Sequence, residues 1–146
     1  MILPLLLLLL LTAAPQGGDT LTTVRAYVFT DLSSSGQSSP EQEGRMDAVR
    51  EIKDALRKKK GISLVDNRAD ATLFIEITGR EQNEDVQGPF GGKAITSLGD
   101  TIIRLHISSD GQESDLKGMG QGTWGRAAKD AADRILKWIA RREPAK

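Results

Sequence analysis

This 146-residue sequence has no cysteine and only one histidine, His106. The missing cysteines exclude disulfides, so stability has to come from packing alone. They also exclude a lipoprotein anchor, which needs a cysteine directly after the signal segment. His106 is left without thiolate partners for a zinc site, and no strained nucleophile turn completes a Ser-His-Asp set around it. Net charge is missing too: 20 basic residues balance 20 acidic ones, so the chain has no overall attraction to nucleic acid or to an anionic membrane. The cluster Lys58-Lys59-Lys60 ends a helical pattern, where the dipole favours cations, and it has no interleaved aromatic residues on which bases could stack.

Before Arg25 there is no basic residue, yet the first fourteen residues read MILPLLLLLLLTAA. A leucine run followed by small residues and then by Gln16-Gly17-Gly18-Asp19 has the h-region and c-region of a secretory signal. The run falls well short of the roughly 20 apolar residues that a spanning helix needs. Residues 1–18 are therefore expected to be a signal peptide, cut between Ala14 and Gly18, and residues 19–146 a single exported domain. Its expected address is periplasmic or secreted, with no membrane attachment after cleavage.

The exported part reads as β-α-β-β-β-β-α. Val24, Ala26 and Val28 alternate with Arg25, Tyr27 and Phe29, the period of a strand. Ser39, Pro40 and Gln42 form a capping box that opens a helix, and Gly61 stops it beyond the lysines. Met46, Val49, Ile52 and Leu56, with Ala48 and Ala55, form its apolar stripe. Ile62 to Val65 and Ala71 to Thr78 are strands separated by the turn Asp66 to Asp70, and the reading pairs them as a hairpin. Residues 79–100 form a long polar loop. Thr101 to Ser109, with Ile103, Leu105 and Ile107 inward, then turns at Asp110-Gly111 into a polar edge strand, Gln112 to Gln121. A last helix, about Thr123 to Arg142, carries Trp124, Ala128, Ala131, Ile135, Trp138 and Ile139 on one stripe. The expected fold is α+β, a two-layer sandwich of a mostly antiparallel sheet with both helices on one face. No internal repeat and no second domain is visible.

Three features invite a chemical reading. Gly120, Gly122 and Gly125 match G-x-G-x-x-G before a helix, so a small ligand or nucleotide could sit on the turn 118–125. That match lacks the βαβ unit and the following acidic residue of a dinucleotide site, and easing a strand-to-helix turn is the structural alternative. Glu81, Glu84 and Asp85 offer oxygen ligands but no calcium-loop spacing, which makes them solvated charges. Val86, Pro89 and Phe90 place apolar groups in the long loop, where a partner could be recognised. No catalytic set, cofactor site or metal site is assigned.

The run Ala55 to Asp66, followed by Asp70 to Arg80, joins a helix to a strand ending in Asp and then to an Asp-Ala-aliphatic strand. It resembles the helix-hairpin core of small bacterial envelope domains, such as the N-terminal domain of the Tol-Pal translocation protein and the lipoproteins that activate penicillin-binding proteins. The resemblance covers roughly residues 40 to 80 and carries no functional residue across. It implies a non-catalytic interaction scaffold with an envelope protein as partner, although the cysteine of the lipoprotein members is missing.

Overall fold

The computed structural model describes residues 23–33, 39–83 and 99–142. Residues 1–18, expected to be a signal peptide, and the loop residues Val86, Pro89 and Phe90 lie outside the described residues, as do Glu84 and Asp85. The elements follow the expected order: β1 (Val24–Phe29), α1 (Pro40–Arg57), β2 (Ile62–Leu64), β3 (Leu73–Gln82), β4 (Asp100–Ser109), β5 (Gln112–Gln121) and α2 (Trp124–Arg141). A 3-10 turn, Arg68–Asp70, lies between β2 and β3.

Local chemistry explains the boundaries. Ser39 Oγ accepts the Gln42 N–H at 3.2 Å and Pro40 opens α1, while Gly61 beyond its end adopts φ +85°. Asp110 and Gly111 both have positive φ, 51° and 76°, the turn whose twist suits a two-residue hairpin between β4 and β5. The fold is α+β, and its single sheet is mixed, with strand order β2-β1-β3-β4-β5.

One expectation is corrected here. β2 and β3 do not form a hairpin: each pairs with β1, on opposite sides, and both pairings are parallel. The longer ladders, β3–β4 and β4–β5, are antiparallel, so the sheet is mixed and not purely antiparallel. The reason lies in the register. β2 pairs with Val24 to Ala26, and β3 begins opposite Ala26 and continues to Phe29. The two strands are staggered along β1, so the chain steps across β1 without reversing. Val65 N–H donates to Ala26 O on one side and Thr72 N–H to Arg25 O on the other, which ties both ends of the step to β1.

One buried cluster takes in Ala26 and Val28 of β1, Leu73, Ile75 and Ile77 of β3, Ile103, Leu105 and Ile107 of β4, and residues of both helices. α1 contributes Ala48, Ile52 and Leu56. Met46, expected in that stripe, is 46% exposed. At 100° per residue it lies about 120° round the helix from Ile52, on the flank of the stripe.

β3 runs four residues further than expected, to Gln82, and the extension pairs with Thr101 to Arg104 of β4. A register shift between Ile77 and Gly79 marks a bulge. One extra residue reverses which side chains face the core, so that Arg80 takes the side that Ile77 held before it. Its guanidinium lies 3.8 Å from the Trp124 ring centre and 2.9 Å from Glu51 Oε1. Burial pushes the Glu51 carboxyl above the usual range, and Arg80 opposes that rise.

α2 lies close against β5. A Cβ added at Gly118 would sit 2.2 Å from Ala127 O and 2.5 Å from the Ala131 methyl, and one at Gly120 would sit 2.5 Å from Ala127 N. Alanines on the helix and glycines on the strand thus bring two backbones into contact. Thr101, buried beneath this junction, places Oγ1 2.9 Å from Gly120 O and 3.0 Å from Thr123 O. Gly118→Ala is therefore expected to cost roughly 1–3 kcal/mol or more. Gly125, with open space around its Cα, should gain a few tenths to about 1 kcal/mol as alanine. Urea unfolding of both variants checks the pair, and equal effects would contradict the packing assigned to Gly118.

Candidate functional site

The alternate residues of the strands turn away from the buried cluster and line up across the sheet in two rows. Register places Tyr27 beside Phe74, Phe74 beside Ser108, and Ser108 beside Glu113. The next row runs Phe29, Glu76, His106, Asp115. One end of this surface is aromatic and the other is ionic.

At the aromatic end the Tyr27 and Phe29 rings stack with centres 5.4 Å apart. Arg68 belongs to the step that carries the chain over β1, and its guanidinium lies 5.1 Å from the centre of the Phe29 ring and 5.4 Å from that of Phe74. Asn67 holds that turn by accepting the Ala69 N–H at 3.1 Å. The three rings are half-buried. Together the residues form an aromatic patch with a cation laid across it, an arrangement worth about 0.5–1 kcal/mol at a site open to water.

At the ionic end His106 Nδ1 lies 2.7 Å from Asp115 Oδ1, and Nε2 lies 3.5 Å from Glu113 Oε2. The hydrogen bond to Asp115 is the main reason that the imidazole pKa rises above 6.5, with desolvation opposing it. Beyond it on β4, Arg104 holds Glu81 through Nε at 2.6 Å and Nη2 at 3.2 Å. This pair keeps the Glu81 carboxyl below its usual range. Among the described residues no group of three or more His, Cys, Asp or Glu side chains is arranged to hold a metal ion.

The residues singled out in the glycine-rich turn have packing and turn roles. Gly120 lies in β5 beneath the α2 backbone, and Gly122, at φ 71°, makes the turn from β5 into α2. The Cα hydrogens of Gly118 and Gly120 face Arg126, Ala127 and Ala131, so this face of β5 is taken up by helix packing. Gly125, the second residue of α2, borders a groove of about 300 Å³ between the helices, beside Lys58, Lys59 and Lys129. Lys59 is paired with Asp133 of α2, so this lysine ties the helices together.

Sequence reasoning did not find Arg68, Phe74 or the rows they belong to. The available signal is the alternation of β1, which puts Tyr27 and Phe29 on the face opposite Ala26 and Val28. No family model matches the sequence, and no curated protein matches it at a significant level.

The histidine gives a direct check of the ionic end. Its folded-state pKa lies above the unfolded 6.5, so its stabilisation is full below about pH 6.5 and is lost as pH rises through the folded value. As the single histidine it yields one imidazole signal in an NMR titration. The midpoint should lie above 6.5 and fall toward that value in Asp115→Asn. An unchanged midpoint in the variant would show that Asp115 does not hold the ring in solution.

Proposed function

We propose that this chain is an exported, non-enzymatic protein-binding module of the bacterial cell envelope. The observation that carries the reading is the aromatic patch of Tyr27, Phe29 and Phe74 under Arg68. Aromatic residues and arginine are the types enriched where protein partners dock: the rings offer large contact areas with few rotatable bonds to order, and the guanidinium adds several directional donors. The sequence holds three phenylalanines and one tyrosine, and three of these four rings lie in this one patch. A core needing those rings would have turned them toward the helices.

Export is supported by the leucine run at the N-terminus; the sequence resemblance of residues 40 to 80 to envelope interaction domains supports an envelope partner without its hairpin part, since β2 and β3 flank β1. Among the described residues no helix is long and apolar enough to cross a membrane. The loop residues Val86, Pro89 and Phe90 are a further partner contact within the same proposal.

Two measurements test the reading. Mass spectrometry of the protein recovered from the periplasm or medium should show a new N-terminus between Ala14 and Gly18, and retention of an intact Met1 in the cytoplasm would reject export. Photo-crosslinkers placed at Tyr27 and Ser108 in living cells should trap one discrete partner. Arg68→Glu should abolish that adduct while the melting temperature stays within a few degrees of the wild type, since surface changes typically alter stability by about 0.5 kcal/mol or less. A wild-type surface that yields no adduct at either position would reject the patch as a docking site.

A further inference from the structure

β5 is an edge strand, and its free edge is divided into two parts. Met119 N–H donates to Asp130 Oδ2 of α2 at 3.0 Å, and Gln121 O accepts from Arg126 Nη1 at 3.4 Å. Both groups therefore point out of the sheet, while Gly120 O points inward to Thr101. In an unbroken antiparallel ladder this alternation continues, so the N–H and C=O groups of Glu113, Asp115 and Lys117 share the outer edge with Met119. Two side chains of α2 close the end of the edge at residues 119–121. Among the described residues nothing pairs with the outward backbone groups of residues 113–117. A backbone edge left in this state is a template for an added strand.

The space beside that open part has a definite character. α2 touches β5 at Gly118 and Gly120 but departs from it toward Leu116 and Ser114, leaving a groove of about 370 Å³. Leu116 and Trp138 supply its apolar floor, and Arg134, Lys137 and Arg141 its wall. Arg134 is neutralised by Asp130 at 2.8 Å. Lys137 and Arg141 make no ion pair within 4 Å to another described residue, although Lys137 also acts on the Asp133 carboxylate, and with Asp130 as its one acid the groove lining is net positive.

We propose that an extended segment of a partner protein adds to the edge at residues 113–117, with acidic side chains and one aliphatic side chain alternating into the groove. The backbone ladder provides attachment, and Lys137 with Arg141 selects acidic residues. A second copy of the chain is the poorer occupant, because pairing two β5 edges about their common centre brings one set of Arg134, Lys137 and Arg141 toward another. The inference rests on the protein-binding reading but uses a surface distinct from the aromatic patch, so the two can fail separately.

The test uses the full chain and a fluorescein-labelled peptide, Thr-Glu-Thr-Glu-Thr-Leu-Thr-Glu-Thr, followed by anisotropy. The wild type should bind it saturably. The double variant Lys137→Glu/Arg141→Glu should bind at least about tenfold more weakly and should prefer the same peptide with lysine in place of glutamate. Lys117→Pro removes one outward N–H, leaves the pairing with β4 intact and should also weaken binding. Circular dichroism confirms folding, and if Lys117→Pro does not fold, the charge exchange still decides. Absence of saturable binding by the wild type, or binding indifferent to both changes, would overturn the proposal. So would wild-type dimerisation abolished by the charge reversal, which would make the edge a self-association surface. Arg68→Glu should leave peptide binding unchanged, so a loss of the in-cell adduct with peptide binding intact separates failure of one surface from failure of the other.

Discussion

Strand β1 has six residues, and parallel neighbours are hydrogen-bonded along both of its edges. A parallel neighbour cannot be reached by a tight turn, so α1 is the crossover that returns the chain from the end of β1 to the start of β2. The stagger of β2 and β3 along β1 then lets the chain reach the other edge in a short step, residues 65–72. That step has to pass over one side of β1. It passes over the side away from the buried cluster, and for that reason Arg68 comes to rest over Phe29 and Phe74. The topology of a three-residue edge strand, β2, thereby determines the composition of the aromatic patch.

The other half of the sheet depends on two departures from regular geometry. The bulge at Ile77/Gly79 allows β3 to continue as a strand while exchanging its faces, which delivers Arg80 to the helices. A guanidinium held between Trp124 and Glu51 links the start of α2 to α1 through β3. Gly118 and Gly120 then set the distance between α2 and β5, because any side chain there would meet the helix backbone. Where the glycines end, at Leu116, the helix and strand separate and the basic groove begins. Close packing at one end of an element pair and an opening at the other are thus consequences of one residue pattern.

With no disulfide to close the fold, these contacts carry its stability. The charged groups contribute mainly through placement. Lys59–Asp133 and Arg80–Glu51 join elements that are distant in sequence. Arg50–Asp47 and Arg57–Asp54 are exposed pairs three residues apart on α1, of the kind that adds a few tenths of a kcal/mol at most. A chain of zero net charge therefore has locally distinct surfaces: an ionic row around His106, an aromatic patch under Arg68 and a basic wall on α2.

The sequence by itself determined every element and most of their ends, because the signals involved are local. The Ser39-Pro40-Gln42 cap, the Asp110-Gly111 turn and the period-two alternation of β1 and β4 act within a few residues of one another. Strand pairing was decided only in the tertiary structure. Alternation reads the same in a parallel and an antiparallel neighbour, so the sequence of β2 and β3 is compatible with a hairpin that the chain does not form. The bulge was hidden for a related reason: Thr78-Gly79 is a turn signal in isolation and becomes strand only because β4 supplies partners out to Thr101. Arg80, Arg68 and the wall of Lys137 and Arg141 acquired their surroundings from those pairings, since a side chain's neighbours across a sheet follow from register, which no short stretch of sequence specifies.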